Sequence, residues 1–280
     1  MPSILKLPGA KITGVPVPPV DQRLTNGSLL LLDPTHPSVT WAGTTTAGTS
    51  IPNVAAAEAL ALMGQPVTAA TIFDTTTAPG RAEIRKTAKG SLHFTASVTN
   101  DVANERVGLS MEQSLRDYLL ANTNHSFYLG VAATITRATA FNAAAIASYA
   151  GLFKSTDFAG GPALSVATQP AGTGAASPGS TDPRRIGFSA ITTGGALLTT
   201  VAASNLGLTA VPTGYIAAAG PWAGAAPLHA TPSFVLRSLY IEDLTASGRT
   251  HAQVAALDQL AMESGINGRW AGDTWTGPLA

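Results

Sequence analysis

Histidines and acidic residues are the side chains of this sequence that could do chemistry. The five histidines, at positions 36, 93, 125, 229 and 251, lie far apart and form no HxH or HxxxH pair. A zinc site built from them would need ligands that converge from distant loops. We therefore expect no metal and predict capping or surface roles, with His125 at a helix-to-strand corner and His251 in the first turn of a helix.

An acid pair for glycoside hydrolysis is the next candidate. That reaction needs two carboxylates on either side of one sugar. Glu242 and Asp243 are adjacent, and neighbouring side chains of a strand point to opposite faces. These two residues therefore cannot form that pair. We expect Glu242 to bind Arg237 or Arg249, and Asp243 to accept hydrogen bonds from the turn at 247–248.

Motifs for nucleophilic catalysis and for phosphate binding are missing from the sequence. It has no cysteine, no GxSxG nucleophile elbow and no glycine-rich phosphate loop, which are the patterns that position those groups. The segment 182–185 (DPRR) predicts a salt-bridged loop, with phosphate binding as the alternative. We therefore predict that the protein is not an enzyme, has no catalytic residue and needs no cofactor.

Aromatic side chains leave sugar binding open. Trp222, Trp270 and Trp275 could stack on the apolar face of a sugar, together with Tyr215 and Tyr240. Aromatic residues make up only 6% of the chain, and packing would use most of them. A host glycan is therefore the alternative ligand and not the first expectation.

The charge content argues against a nucleic-acid partner and favours association with copies of the same chain. Charged residues are 11% of the 280 and the formal net charge is zero, so the electrostatic footprint of a nucleic-acid-binding protein is missing. Near-zero net charge promotes association. We therefore expect a homo-oligomer, a trimer or a dimer, in which copies of the protein cover much of the surface. No apolar run is long enough to span a membrane, and no membrane insertion is expected.

The stretch 233–258 contains several of these residues and positions them. Its first part reads as a strand with imperfect alternation, since Leu236 and Tyr240 have one parity and Leu239 and Ile241 have the other. A strand that is buried on much of both faces has this pattern. We therefore predict a central packing strand here.

A helix is expected after the turn at 247–248. Thr250 and Gln253 have the spacing of a capping box, which predicts that the helix starts there. Apolar residues at three-to-four spacing predict its buried face. These residues are Val254, Leu257, Leu260 and Ala261.

The rest of the chain predicts a β-sandwich. Asn53 is expected to cap a helix that ends near Met63, and Ser110 with Gln113 to start another, whereas 75–89 is predicted to be a solvated basic loop. Further strands are expected at 67–73, 91–99, 125–137, 146–153, 163–168, 186–192 and 196–202. Eight to ten strands with two or three short helices are typical of an antiparallel β-sandwich and not of βαβ units. The predicted fold class is therefore mainly β.

We divide the chain at residue 66. Residues 1–66 are predicted to form an extended N-terminal docking arm with a short helix, and residues 67–280 the sandwich. The proline-rich run at 15–19 favours polyproline II, and the arm is too apolar for a solvated tail. The residues expected to dock it are Leu5, Leu7, Val15, Pro18 and Leu30.

Three segments carry a resemblance to a known family. They are HSFYLGVAATITR (125–137), SFVLRSLYIEDLTASGRTHAQVAALD (233–258) and the tail GRWAGDTWTGP (268–278). Together they resemble virion structural proteins of tailed bacteriophages that carry a concanavalin A/laminin G-like jelly roll. The resemblance covers residues 90–280 and leaves the N-terminal arm outside.

The resemblance implies a jelly-roll sandwich and a place in the virion, which is assembled in the cytoplasm of the bacterial host. The protein would be a tail, fibre or baseplate, or head-surface decoration component that binds copies of itself and other virion proteins. The alternative is a carbohydrate-binding host-recognition module of a tail fibre. The third alternative is a glycan-degrading enzyme, but we find no acid pair for that reaction in the sequence. Related lectin-type sandwiches often use calcium, but this sequence has no Asp-x-Asp run, so no calcium site is expected.

Overall fold

The computed structural model describes residues 21–138, 147–153, 162–169, 186–190, 194–212, 214–220 and 231–280. Within these ranges the chain forms thirteen strands and four helices. In chain order the strands are β1 (Ser28–Leu32), β2 (Ser50–Pro52), β3 (Ala69–Asp74), β4 (Ala82–Lys86), β5 (Leu92–Ala96), β6 (Val107–Met111), β7 (Phe127–Arg137), β8 (Ala147–Phe153), β9 (Pro162–Gln169), β10 (Ile186–Ala190), β11 (Ala196–Ala203), β12 (Tyr215–Ala219) and β13 (Ser233–Asp243). The helices are α1 (Ala56–Met63), α2 (Gln113–Ala121), α3 (Leu244–Ser247) and α4 (His251–Asn267). None of the helices in the described ranges is long and apolar enough to cross a membrane.

The strands form two sheets that pack face to face. The first sheet has the order β11-β7-β13-β5-β4, with β1 also paired to β13, and the second has the order β10-β9-β8-β12-β6-β3-β2. Paired strands are antiparallel except β9 and β10, which are parallel. The predicted mainly β sandwich is confirmed.

Buried aromatic side chains join the two sheets. Phe94 and Phe234 of the first sheet stack with ring centroids 4.9 Å apart. Tyr149 of the second sheet packs against Phe234 at 5.2 Å, and its hydroxyl donates to Thr199 Oγ1 of the first sheet at 2.9 Å. Because the tyrosine has a partner for its hydroxyl, its burial between the sheets leaves no polar atom unsatisfied.

Strand β13 is the central strand of the first sheet. It pairs with β7 along its whole length on one side, and with β5 and then β1 on the other. All eleven of its residues are buried, since its inner face packs on the second sheet and its outer face lies under α4 and the residues after it. The predicted strand with two buried faces is confirmed.

Arg237 is an extra residue in β13. Leu236 and Ser238 pair with two consecutive residues of β7, so Arg237 has no residue opposite it. This arrangement is a β-bulge, which shifts the alternation by one residue. Leu236 therefore points into the core between the sheets before the bulge, and Leu239 does so after it.

The described part of the predicted arm belongs to the sandwich. Strand β1 pairs with β13 and β2 pairs with β3, so residue 66 does not divide arm from sandwich. Leu30, a predicted docking residue, is only 1% exposed in the core and is not available to another protein. The other predicted docking residues, Leu5, Leu7, Val15 and Pro18, lie outside the described residues.

Two predicted helix caps are wrong because each side chain has a tertiary partner. The Asn53 amide holds β1, since its Oδ1 accepts from the Leu31 N–H at 2.8 Å, and α1 begins after Ala55 without a side-chain cap. The Ser110 hydroxyl donates to the Thr71 carbonyl of β3 at 3.0 Å. Helix α2 likewise begins without a side-chain cap.

Strands β2, β4, β6 and β12 were not predicted. The clearest correction is β4, which lies within the predicted basic loop at 75–89. Ala82 and Ile84 are buried on one side of β4 while Glu83 and Arg85 lie on the other. Only two inward positions among charged residues form a weak alternation, and pairing with β5 decides that this segment is a strand.

Helix α4 buries a different face from the predicted one. It has the predicted capping box of Thr250 and Gln253, but Leu260 is 57% exposed. Its buried residues are Val254, Asp258, Met262 and Gly265. The reason is the buried acid Asp258, whose ion pair with Arg23 sets the rotation of the helix.

Candidate functional site

The bulge in β13 places a guanidinium group inside the protein. Arg237 is 4% exposed and lies on the outer face of the first sheet. Its Nη1 donates to the Ser91 hydroxyl at 3.0 Å and forms a salt bridge with the Asp273 carboxylate, which is fully buried. A bulge commonly changes the direction of one side chain. In β13 that side chain is the charged Arg237.

Two tryptophan rings lie close to this guanidinium. The Arg237 Cζ lies 5.9 Å from the centre of the Trp270 ring and 5.6 Å from that of Trp275. Both distances are within the range of cation–π attraction. Both rings therefore contribute to holding the guanidinium, which is 4% exposed.

The segment after α4 supplies these side chains and is fastened to the sheet. Asp273 accepts from the Thr87 hydroxyl at 2.8 Å and from the Lys89 N–H at 2.7 Å. Further along, the Leu279 N–H donates to Thr95 Oγ1 at 2.8 Å. The tail that contains the two tryptophans is therefore docked on the sandwich of its own chain, and it positions one wall of the site.

A cavity of about 260 Å³ opens beside Arg237. Thr134, Asp273 and Trp275 line it together with Arg237, and glycines 194, 195 and 272 lie along its rim. A Cβ added at any of these three glycines would meet no atom within 4 Å. The rim is therefore open to a ligand.

The electrostatics of the site are those of a compensated ion pair. Arg237 and Asp273 carry opposite charges in direct contact. The neighbouring His93 is neutral near pH 7, because burial, with the nearby guanidinium groups of Arg85, Arg137 and Arg237, lowers its pKa to about 4. The cavity therefore offers hydrogen-bonding groups and an aromatic wall without a net charge.

A second polar cluster lies at the other end of β13. Asp243 Oδ2 accepts from the Tyr118 hydroxyl at 2.8 Å and lies 2.7 Å from His125 Nδ1. Its Oδ1 accepts from the N–H groups of Thr245 and Ala246 at 2.9 and 3.0 Å. Both carboxylate oxygens are thus used to fix a corner between α2, β7 and α3, where His125 was predicted to lie.

A larger cavity of about 450 Å³ adjoins that corner. Ser126, Arg249 and His251 line it. The Arg249 guanidinium is already bound to the buried Glu242 carboxylate, with Nε to Oε1 at 2.9 Å, and His251 Nε2 lies 3.1 Å from the Thr200 hydroxyl. Of the two predicted partners of Glu242, the structure selects Arg249, and the polar groups of this cavity serve the fold.

The predicted stacking tryptophans do not form one platform. Trp270 is only 4% exposed, packs against Ala132 and Met262, and donates from its indole Nε1 to Thr35 Oγ1 at 2.8 Å. Trp275 is half-buried at the cavity. Trp222 lies outside the described residues. Of the two that the structure describes, Trp275 has the more exposed ring.

The two predicted tyrosines are used for packing. The Tyr215 ring stacks on Phe73 with centroids 4.2 Å apart, and Tyr240 is fully buried on the outer face of β13. The Tyr240 hydroxyl donates to Glu242 Oε2 at 2.7 Å. Neither ring lines the Arg237 cavity.

Arg237 was not predicted as a site residue. The signal that could have indicated it is the change of parity between Leu236 and Leu239, which marks an inserted residue in a strand. The same change also predicted burial on both faces. The strand has both features, and the bulged residue Arg237 lines the cavity.

The described residues contain no group of three or more His, Cys, Asp or Glu side chains that could hold a metal ion. No protein-family model matches the chain, and a search of the curated proteins finds no similar sequence.

Proposed function

We propose that this protein is a self-associating structural component of a tailed-bacteriophage particle. In this role it would be a tail, fibre or baseplate, or head-surface decoration protein that docks through its N-terminal segment. The resemblance of 125–137 and 233–258 to virion proteins supports the choice of particle, and the two-sheet fold is compatible with the jelly roll that the resemblance implies. The virion location and assembly in the host cytoplasm belong to the same proposal.

The observation that carries the structural role is where the charges lie. Charged side chains are seldom buried in proteins, yet nine of the described ones are buried here. They are Arg23, Asp33, Asp101, Glu105, Arg106, Arg237, Glu242, Asp243 and Asp258. In a chain with only 16 basic and 16 acidic residues, this leaves few charges on the surface to keep copies apart.

Exposed apolar side chains on α4 also favour self-association. Leu260 is 57% exposed and Ile266 is 39% exposed. Leu257, Leu260 and Ala261 line a groove of about 400 Å³. Because exposed apolar patches commonly mark interaction surfaces, we place the contact between copies on this face of α4.

Light scattering across a concentration series tests self-association. We expect a stable dimer or trimer for the native chain, and a shift towards monomer for Leu260→Glu, because a charge on the contact face opposes its burial. Leu60→Glu is the matched control, since Leu60 is 49% exposed on α1, away from that groove. A monomer at all concentrations, or equal behaviour of the two variants, would count against the proposal.

Incorporation into phage particles tests the assignment of the protein to the virion. Mass spectrometry of phage particles from an induced lysate of the source strain should detect the native chain in fixed stoichiometry. A chain without residues 1–20 should fold and be lost from the particles. The deletion must stop before Asp21, because Asp21 and Arg23 form a buried ion pair and β1 follows directly. Particles that lack the native chain would refute the assignment to the virion.

A further inference from the structure

We propose that residues 15–20 of one copy lie in the α4 groove of a neighbouring copy, and that the neighbour makes the same contact in return. The α4 groove is the cavity of about 400 Å³ that Leu257, Leu260 and Ala261 line. This exchange rests on the proposed self-association, and it specifies how two copies are joined. Four features support it: the lining of the groove, the sequence of the segment, its point of attachment and the area that a dimer needs.

The groove combines apolar and polar residues that solvent can reach. Leu260 is 57% exposed, and Leu257 is half-buried. The exposed residues Pro37, Gln22 and Ser264 line the same groove. A proline-rich segment in polyproline II presents apolar rings together with backbone carbonyls that have no internal partner. The lining of the groove therefore suits such a segment.

The segment 15–20 has the composition to fill this groove. Its sequence is VPVPPV, without a polar side chain. Because prolines restrict the backbone before binding, less conformational entropy is lost when the segment docks. The whole of 1–20 has two lysines and no acidic residue, whereas α4 has the exposed acid Glu263 and no lysine or arginine. The charges of the segment and the helix are therefore complementary.

The point of attachment places a second groove within reach of the segment. Asp21 lines the groove of its own copy, and its carboxylate is held there by the Arg23 guanidinium at 2.8 Å. When two copies pack with α4 against α4, the helix axes lie about 8–10 Å apart. Six residues in polyproline II extend about 19 Å, so residues 15–20 can cross from the wall of one groove into the other.

The α4 face by itself is too small to hold two copies together. A helix of 17 residues is about 25 Å long and about 10 Å wide, so one face offers about 250 Å². A stable interface buries about 800 Å² on each partner. Exchanged segments enlarge the contact from both sides. A segment on the α4 of its own chain would instead cover Leu260 and join no copies.

Disulfide cross-linking tests the exchange, since the native chain has no cysteine. Val17→Cys and Leu260→Cys are placed on two chains with different tags, which are co-expressed and oxidised. We expect a disulfide-linked heterodimer, identified by mass spectrometry of the peptide pair that contains positions 17 and 260. Leu60→Cys takes the place of Leu260→Cys in the control pair, because Leu60 is 49% exposed on α1. The control pair should form at least about tenfold less heterodimer, because exchange does not bring its cysteines together.

A single chain that carries both Val17→Cys and Leu260→Cys distinguishes the two positions of the segment. A disulfide between chains supports the exchange. A disulfide within one chain would mean that the segment lies on its own α4, and it overturns the proposal. Failure to form either disulfide overturns it as well.

Light scattering separates the exchange from self-association itself. Removal of residues 1–14 keeps the segment 15–20 and should leave the dissociation constant of the dimer unchanged. Removal of residues 1–20 should raise that constant at least about tenfold, because the tethered contact is lost. A dimer that is equally stable without residues 1–20 overturns the exchange and leaves self-association in place. A native chain that is monomeric at all concentrations overturns both.

Discussion

Arg23 Nη1 donates to Asp258 Oδ1 at 3.0 Å, between residues that are 235 positions apart. Both side chains are almost fully buried. The Tyr128 hydroxyl donates to the other oxygen, Asp258 Oδ2, at 3.0 Å, and Asp21 binds the opposite end of the guanidinium. Burial raises the pKa of Asp258 while Arg23 opposes that shift. The network fastens α4 to β7 and to the segment before β1, and it keeps Leu260 on the exposed side.

Replacing Asp258 by Ala should strongly destabilise the protein. Breaking a buried ion pair usually costs about 3–5 kcal/mol, and we expect the free energy of unfolding to fall by about 3 kcal/mol, since Asp21 still binds Arg23. Urea unfolding followed by tryptophan fluorescence measures it. Glu263→Gln, on the exposed side of α4, should change the value by less than about 0.5 kcal/mol. Similar losses for the two variants would show that the Arg23–Asp258 pair does not hold the helix.

Gly130→Ala should disturb the same network from the side of β7. A Cβ at position 130 would overlap the Asp258 carboxylate and the Tyr128 hydroxyl. Overpacking of this kind costs about 1–3 kcal/mol, so the melting temperature should fall. Gly195→Ala is the control, because a Cβ there meets nothing within 4 Å, and it should melt within a degree or two of the native chain. Equal melting temperatures for the two variants would contradict the described packing around Gly130.

The stability should depend on pH through His93. The pKa of this imidazole is lowered from 6.5 to about 4 in the fold, first of all by burial. Between these values the unfolded chain binds more protons than the folded one, so the free energy of unfolding falls as pH falls, with a slope of at most about 1.4 kcal/mol per pH unit. His93→Gln keeps an amide for the Thr136 hydroxyl, which lies 2.9 Å from His93 Nε2, and removes the titration.

Urea unfolding at a series of pH values from 7 down to 4 measures this slope. The native chain should lose stability more steeply than His93→Gln, and the difference belongs to His93 because all other titrating groups are shared. Parallel curves would mean that His93 is protonated equally easily in the folded and unfolded chains.

Thr250→Ala should weaken the start of α4. The Thr250 hydroxyl accepts from the Gln253 N–H at 3.3 Å, and Gln253 Oε1 accepts from the Thr250 N–H at 2.8 Å. Loss of an N-cap typically costs about 1 kcal/mol, and urea unfolding should show a change of that size. Thr250→Ser keeps the hydroxyl and should retain most of the stability that Thr250→Ala loses. If Ser and Ala have the same effect, the cap does not contribute to stability.

The helix caps show which features a local sequence pattern can predict. The capping box at Thr250 was predicted correctly because both of its partners lie within one turn of the chain. Ser110 and Gln113 have the same spacing, and Asn53 was also expected to cap a helix, but the Asn53 amide binds Leu31 and the Ser110 hydroxyl binds Thr71. Side chains that can cap a helix can also bind a distant backbone group, and the local sequence does not distinguish the two.

The candidate site was predictable only in part. Trp270 and Trp275 were named in advance as aromatic candidates, and both line the cavity beside Arg237. The role of Arg237 was missed, because its burial depends on the bulge and on Asp273, which is 36 residues further along the chain. A buried guanidinium that contacts two tryptophans and a distant aspartate is a tertiary arrangement that no spacing rule describes.

The sequence by itself determined the mainly β class, the central strand 233–243, the start of α4 and the low charge. Each of these depends on residue type or on periodicity over a few residues. Only the tertiary structure decided which face of α4 is buried, that Leu30 belongs to the core, and that Arg237 lines a cavity. The physical reason is that a buried charge is stable only beside its partner, and the partners here, such as Arg23 for Asp258, lie far away in the chain.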